Sequence, residues 1–276
     1  MNPVAKALWY IEAHYGQRVT LDDLAGVAGV SRFHLSRTFC YATGVPVNRY
    51  LRDRRLSQAA LALADGNDDI LDLALSLGYG SHEAFSRAFK ERFGQTPQSV
   101  RSQGHTGNLR LSEAMRMSSN SAIKLNEPRI EKRGALLLAG LSRRYTMGTN
   151  AAIPSQWQAF APRIGHVPDQ CLPTGYGVVY NIDDEENHEY LCAVEVSSFD
   201  RIPDDLSRLR LPEQRYAVFQ HDGHVSGIRQ TCIAIWNDWL PDSKHEPADA
   251  PFFEHYRESF DPRSGIGGIE VWLPIR

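Results

Sequence analysis

The chain has 276 residues and a net charge of −3 at pH 7, with 42% hydrophobic and 23% charged residues. This composition is typical of a globular protein, and the length is sufficient for two domains that each bury a core. No apolar run reaches the roughly 18 residues that cross a bilayer, and the N-terminal stretch lacks an export signal. The four cysteines have no CxxC spacing, so we expect reduced thiols in a cytoplasmic protein that does not contact membranes.

The first hundred residues have the spacing of short amphipathic helices. Residues 4–15 carry apolar side chains at helical intervals and predict a first helix. Thr20, followed three residues later by Asp23, predicts the capped start of a second helix. Ser31 predicts the start of a third helix, and Gly44 predicts its end.

The pair of helices around this turn occurs twice. The segment DLAGVAGVSRFHLSRTF (23–39) aligns with DLALSLGYGSHEAFSRAF (72–89), with one extra residue in the second turn. The matched positions include Ser31 with Ser81, Leu35 with Phe85, Arg37 with Arg87, Phe39 with Phe89, and Gly44 with Gly94. Such a repeat predicts an all-α N-terminal domain, residues 1–102, with two equivalent helix-turn-helix units.

In a helix-turn-helix, the first turns of the second helix reach base edges in the major groove. The residues in these positions are Arg32, Phe33, Ser36 and Arg37 in the first unit, and His82, Glu83, Ser86 and Arg87 in the second. Arg37 and Arg87 are the expected contacts to guanine or phosphate, although a single arginine on a helix is more often only solvated. A helix predicted over residues 46–64 would be about 28 Å long, close to one ~34 Å turn of DNA. One chain could therefore reach two successive major grooves.

Beyond a predicted linker (103–127), with one short helix around Leu111, the pattern becomes that of strands and helices. Strands are predicted at 134–141, 175–182, 190–196, 216–222 and 267–275, and helices at 154–164 and 227–240. The order of strand, helix, strand, strand occurs twice. This order predicts an α+β C-terminal domain, residues 128–276, built of duplicated βαββ units.

Acidic residues lie next to aromatic residues in this second half. Glu254 is inside the apolar run PFFEHY, and Glu195 is inside LCAVEV. A carboxylate among aromatic rings is costly to bury unless it is paired, and a cleft that binds an organic cation is one solution. The expected lining is Glu254, Trp157, Tyr176, Tyr180, Glu195, Phe219, Trp236 and Tyr256. The alternative is that the aromatic rings form the core and the acids face solvent; no metal or cofactor is expected.

The segments of the first half resemble a known family. GYGSHEA followed by FSRAFKERFGQTP (85–97), together with LDDLAGVAGVSRFHLSRTF, resembles the signature of the AraC/XylS family of transcription regulators over residues 1–102. The resemblance implies a seven-helix domain of two units that binds double-stranded promoter DNA and contacts the transcription machinery, including RNA polymerase. The base-reading positions vary within that family, so the DNA sequence does not follow from the likeness.

The second half resembles the GyrI-like effector-binding domain. The matching segments include YGVVYN (176–181), YAVFQHDG (216–223) and FFEHYRES (252–259). The resemblance implies a pocket between two βαββ halves, in which a buried glutamate, here Glu254, counters cationic amphipathic ligands. The leading hypothesis is a transcription regulator without enzymatic activity that senses a small-molecule effector. Two alternatives stay open: a hydrolase that uses Glu254 with Glu195 as its second acid, and a C-terminal domain that binds a protein.

Overall fold

The computed structural model describes residues 2–17, 19–66, 69–115, 123–146, 149–183, 185 and 187–276. The chain divides into two compact units, Met1–Ser119 and Asn120–Arg276. The first unit is helical, and the second combines an antiparallel sheet with helices, which confirms the predicted fold class. No helix among the described residues is long and apolar enough to span a membrane.

Seven helices form the described part of the first unit. They are α1 (Pro3–His14), α2 (Leu21–Ala28), α3 (Arg32–Thr43), α4 (Val47–Ala64), α5 (Ile70–Ser76), α6 (His82–Phe93) and α7 (Pro97–Gln103). The equivalent helices α3 and α6 both follow a serine N-cap, Ser31 or Ser81, whose hydroxyl accepts a backbone N–H. Both end at a glycine in the left-handed conformation, Gly44 and Gly94. The local signals in the sequence therefore determine these boundaries.

Helix α4 joins two separate hydrophobic cores. Its first half buries Tyr50 in the core of the first helix-turn-helix, together with Leu35 and Phe39. Its second half buries Leu63 in the core of the second, together with Phe85. One continuous helix of 18 residues, about 27 Å long, contributes to both cores, so it fixes the separation of the two helix-turn-helix cores.

The predicted linker packs against the helical unit in its first half. In residues 104–115, Leu109 packs against the second core and Met115 against the first. The Ser112 N–H donates to a hydroxyl on α4 at 2.8 Å. The short helix predicted around Leu111 to Met117 is wrong for residues 111–115, which form neither helix nor strand. Side chains of α4 bond the Ser112 N–H, the Ser112 carbonyl and the Met115 N–H, and residues 116 and 117 lie outside the described residues. The predicted domain boundaries stay predictions.

An ion pair between α1 and α4 supports this packing. The Arg54 guanidinium donates to both carboxylate oxygens of Glu12, at 2.8 and 2.6 Å. The Tyr50 hydroxyl donates to the same carboxylate at 2.8 Å and accepts the Met115 N–H at 2.9 Å. Arg54 also donates to the Ser112 carbonyl. One buried arginine therefore ties together α1, α4 and the segment that leaves the helical unit.

The second unit contains an antiparallel sheet of eight described strands. They are β1 (Arg129–Arg133), β2 (Leu136–Tyr145), β3 (Gly175–Tyr180), β4 (His188–Glu195), β5 (Ser207–Leu211), β6 (Gln214–His221), β7 (Phe252–Tyr256) and β8 (Ile269–Ile275). Their spatial order is β1-β6-β8-β7-β3-β4-β2-β5. The helices are α8 (Ile153–Phe160), α9 (Ile228–Ala234), a π-helical turn (Ile235–Trp239) and α10 (Leu240–Asp242). The five predicted strands correspond to β2, β3, β4, β6 and β8, and β7 completes the second βαββ unit.

The two repeats exchange their outer strands. Each repeat forms three adjacent strands, β2-β4-β3 or β6-β8-β7, and the repeats meet along β3 and β7. Strand β1 leads into β2 but pairs with β6, and β5 leads into β6 but pairs with β2. Arg133 ends the edge strand β1, and Leu136 begins β2, which is next to the opposite edge strand β5. Because these two residues are three positions apart, their Cα atoms lie within about 11 Å of each other, so the sheet must curl.

Alternation of side chains gives the sheet two different faces. The inner face of the curl forms one apolar core, to which Tyr176, Phe253 and Trp272 contribute. On the outer face, helices α8 and α9 cover the sheet. Pairing of Gly177 with Glu254 across the β3–β7 junction places Glu254 on the helix-covered face.

Candidate functional site

The second predicted recognition helix, α6, presents an exposed polar face. His82, Glu83 and Arg87 are exposed and Ser86 is half-buried, whereas Phe85 on the opposite side is in the core. Residues at i and i+4 share a helix face, so these four side chains point the same way. On this face the Arg87 guanidinium can donate hydrogen bonds and the Glu83 carboxylate can accept them. These are the groups that read the edges of guanine and cytosine.

The first predicted recognition helix, α3, is arranged differently. Arg32 is exposed and forms a 3.5 Å ion pair with Asp22, and Phe33 is half-buried. Ser36 and Arg37 are buried, with 9% and 6% of their surface exposed. This placement differs from the extended Arg37 that we expected, because its guanidinium carbon lies 5.1 Å above the Phe33 ring. The DNA-contacting roles of all eight residues stay predictions.

The candidate ligand site is centred on the buried carboxylate of Glu254, on β7. The hydroxyls of Tyr256 and Tyr190 donate to its Oε2 at 2.7 and 2.8 Å. Among the residues that the structure describes, no donor reaches Oε1. The Trp157 indole N–H donates to the Tyr190 hydroxyl at 3.1 Å, and the Trp157 ring packs edge-on against Tyr256, 4.9 Å between centroids. Three aromatic side chains thus surround a carboxylate that has one free oxygen.

Two glycines in β3 make room for this cluster. A β-carbon on Gly177 would overlap the Tyr190 hydroxyl and lie 2.8 Å from Glu254 Oε2. A β-carbon on Gly175 would lie 3.2 Å from the Trp157 ring. The segment GYG in the sequence therefore provides the space in which the aromatic rings reach the carboxylate.

Burial dominates the protonation chemistry of the site. It raises the pKa of Glu254 above that of an ordinary glutamate, although the hydroxyls of Tyr256 and Tyr190 act in the opposite direction. Burial, and then the neighbouring Glu254 carboxylate, raise the pKa of both tyrosines well above 10. A positive charge near Oε1 would therefore stabilise the ionised carboxylate more than solvent does at present.

Five of the eight predicted ligand-binding residues lie on this helix-covered face. Trp157, Glu254 and Tyr256 contact one another directly or through Tyr190. Phe219 lies on the same face, because it pairs with Val271, which also pairs with Glu254. Trp236, the fifth, is buried in the π-helical turn that follows α9.

The other three predicted residues lie on the opposite face, so the structure does not bring the eight residues together, and the ligand-binding roles of all eight stay predictions. The Tyr176 hydroxyl donates to Glu195 Oε2 at 3.0 Å, and Arg133 pairs with the same oxygen at 3.2 Å. Tyr180 shares a 2.8 Å hydrogen bond with Ser142. The reason is the register of β3 and β4: alternate residues point to opposite faces, and these three have the parity of the inner face.

Sequence reasoning missed Tyr190, which links Trp157 to Glu254. The available signal was the alternation within YLCAVEV, where Tyr190 and Glu195 necessarily face opposite sides of one strand. It also missed Gln156, a fully buried amide that resembles a surface residue of an amphipathic helix in the sequence.

Comparison with known proteins identifies both halves. Residues 126–276 match the family described as "GyrI-like small molecule binding domain", and residues 24–103 match the family described as "Helix-turn-helix domain". The chain is 27% identical to the transcriptional regulator Rob of Salmonella typhimurium, over 98% of this chain and 96% of that protein. It is 26% identical to the right origin-binding protein of Escherichia coli K12, with the same coverage. The regulatory protein SoxS of Salmonella typhimurium is 37% identical over 33% of this chain and 86% of its own length.

Proposed function

The chain belongs to the family of GyrI-like small molecule binding domains and is a transcription regulator with an AraC-type helix-turn-helix half, and we propose that its effector is an organic cation bound at Glu254. The observation that carries the proposal is the free Oε1 oxygen of a buried carboxylate whose other oxygen accepts two tyrosine hydroxyls.

The chemistry of the site favours a cation with apolar substituents. A buried ionised carboxylate without a counter-ion is costly, and a bound cation removes most of that cost. The faces of the Trp157 and Tyr256 rings attract a desolvated organic cation, whereas a strongly hydrated metal ion would have to lose its water to approach them.

The hydrolase alternative has little support. Its second acid would be Glu195, which lies on the inner face of the sheet and pairs with Arg133 and Tyr176. A general acid and base must both reach the same substrate. The three relatives described above are named as regulatory or origin-binding proteins and not as enzymes. We therefore infer that Glu254 binds its ligand without transforming it.

A pair of isosteric ligands tests the effector proposal. Benzyltrimethylammonium carries a positive charge, and neopentylbenzene has the same shape without the charge. We expect the full-length protein to bind the cation at least about tenfold more tightly, as is typical of a desolvated charge interaction. The Glu254→Gln variant should lose this preference, as measured by calorimetry or ligand NMR. Equal preference in both proteins would refute the proposal.

For DNA, we propose that the exposed face of α6, with His82, Glu83 and Arg87, reads bases in a promoter. Its exposure and its mixed hydrogen-bonding groups support this role. Footprinting on a site selected from random DNA would test it: substitution of all three by alanine should abolish protection of one half of the site. Unchanged protection would assign the reading to other residues.

We also propose that RNA polymerase contacts helix α5. Leu71 and Leu75 are one turn apart and 46% and 53% exposed, whereas the equivalent positions of α2 hold Asp22 and Gly26. The adjacent Asp72 repels DNA phosphates, so this face suits a protein better than DNA. The Leu71→Ser, Leu75→Ser double variant should bind promoter DNA normally but lose transcription in a purified system. Normal transcription would refute this contact.

A further inference from the structure

Helix α8 contacts the sheet through a short face with one polar member. Its two buried residues are Gln156 and Phe160, one turn apart. Gln156 is 0% exposed. A buried amide costs free energy unless its oxygen and its N–H groups all find partners. The contacts of Gln156 therefore determine how α8 lies on the sheet.

Both polar atoms of the Gln156 amide are satisfied. The Tyr145 hydroxyl donates to Oε1 at 2.7 Å. The Nε2 group donates to the Leu141 carbonyl at 2.7 Å and to the Tyr190 carbonyl at 2.9 Å, which uses both of its hydrogens. These three bonds reach two neighbouring strands, β2 and β4. Sliding or rotating α8 would break all three hydrogen bonds of an amide that is buried from solvent.

Consecutive residues of α8 contact the same tyrosine at its two ends. Gln156 donates to the backbone carbonyl of Tyr190, and Trp157 donates to its hydroxyl. That hydroxyl in turn donates to Glu254. The Gln156 amide thus fixes the Trp157 ring relative to the backbone of β4 and, through the Tyr190 hydroxyl, relative to the carboxylate.

The second repeat has an apolar residue where α8 has this amide, and α9 contacts β6 through a buried hydrogen bond, between Thr231 and His221 at 2.8 Å. Trp157 and Trp236 occupy matching helix positions, so the residue equivalent to Gln156 is Ile235, which is buried and apolar. An apolar side chain packs without a required direction, whereas an amide with three partners fits in one orientation. The helix that contains Ile235 also departs from α-helical geometry in the π-helical turn.

We infer that Gln156 is a positioning residue of the ligand site: it fixes α8 so that Trp157 contacts Tyr190 and Tyr256, the two tyrosines that hold the Glu254 carboxylate. This inference rests on the proposed function, because it gives Trp157 its role as the wall of the Glu254 site. Its first prediction, however, concerns the protein without ligand, since the anchor acts before any ligand binds.

The test compares two glutamines on the same helix. Gln156→Met keeps the size of the side chain and removes the three hydrogen bonds, and Gln158→Met makes the same change on the exposed side of α8. The full-length protein is labelled with 5-fluorotryptophan, and the Trp157 resonance is assigned with Trp157→Phe. We expect Gln156→Met to shift or broaden this resonance without ligand and to weaken benzyltrimethylammonium binding at least about tenfold. Gln158→Met should change neither.

A second variant covers the case in which Gln156→Met does not fold. Tyr145→Phe removes only the donor to Oε1 and should move the Trp157 resonance in the same direction by a smaller amount. The inference is overturned if the Trp157 resonance of Gln156→Met is the same as in the wild type. If Gln156→Met does not fold, an unchanged resonance in Tyr145→Phe overturns it. If instead the resonance moves but the wild-type protein does not prefer the cation over neopentylbenzene, the effector proposal fails and the positioning role stands.

Discussion

Gly177 lies directly beneath the hydroxyl of Tyr190, in a space that a β-carbon would fill. The Gly177→Ala substitution should therefore displace Tyr190, destabilise the second unit by about 1–3 kcal/mol through overpacking, and remove the preference for a cation. Gly134→Ala is the matched control, because its β-carbon would have no neighbour within 4 Å among the described residues. Urea unfolding and the paired ligands measure the two effects. Equal stability of the two variants would contradict the geometry described here.

The stability of the second unit should depend on the protonation of Glu254. Burial raises the pKa of Glu254 in the folded protein, so the folded state binds this proton more tightly than the unfolded chain. Above the raised pKa the folded state holds a buried charge, and this lowers the free energy of unfolding. We expect Glu254→Gln to be more stable than the wild type at pH 8. The difference should shrink as the pH falls through the raised pKa and vanish below the ordinary glutamate pKa. Unfolding curves from pH 4 to 8 check this, and a constant difference would contradict it.

Arg37 and Arg87 occupy equivalent positions but should respond differently to alanine. Arg87 is exposed, and its loss should weaken binding to a selected DNA site by about 1–3 kcal/mol, with a smaller loss on random DNA. Arg37 is buried against Phe33, so its loss should mainly lower the free energy of unfolding of the helical unit. Fluorescence anisotropy on both DNAs, together with urea unfolding, separates the outcomes. A larger DNA effect for Arg37 than for Arg87 would show that α3 rearranges on the duplex.

The ion pair between Glu12 and Arg54 should stabilise the helical unit. Burial alone would raise the pKa of Glu12, but the hydrogen bonds from Arg54 and Tyr50 outweigh it, so the pKa is lowered. Arg54→Met should cost about 3 kcal/mol because it leaves a partly buried carboxylate unpaired. The double variant with Glu12→Gln should recover part of that loss. Stability from this pair should also fall as the pH drops through the lowered pKa, and Glu12→Gln should not show this fall. Additive costs in the double-mutant cycle would argue against coupling.

Local signals made the helical half predictable. The capping residues Thr20, Ser31 and Ser81 and the closing glycines Gly44 and Gly94 act within one turn of the helix, so the sequence contains everything that determines them. The packing of residues 104–115 was not predictable in this way. It depends on side chains of α4 more than fifty positions earlier, and a segment rich in small polar residues gives no sign of them.

The ligand site was predictable in its residue types but not in its arrangement. The aromatic and acidic residues were recognised, and Glu254 lies at their centre. Which of these residues share a face of the sheet depends on the strand register, because a register shift of one residue moves every side chain of the strand to the opposite face. Strands β1 and β5 were missed because RIEKR and SRLRL are short and rich in charge, as edge strands are, and contain few of the apolar residues by which strands were recognised.

The exchange of β1 and β5 also makes the two repeats mechanically interdependent. Strand β1 is the first described strand of this unit, yet it pairs with β6 of the second repeat. A force applied to the chain at the start of this unit is therefore transmitted through β1 to the second repeat before it reaches the first. Neither repeat could be cut out as a self-sufficient half, because each would lose one strand and gain an open edge. Two such fragments should instead find each other and reassemble, as the halves of a split protein do.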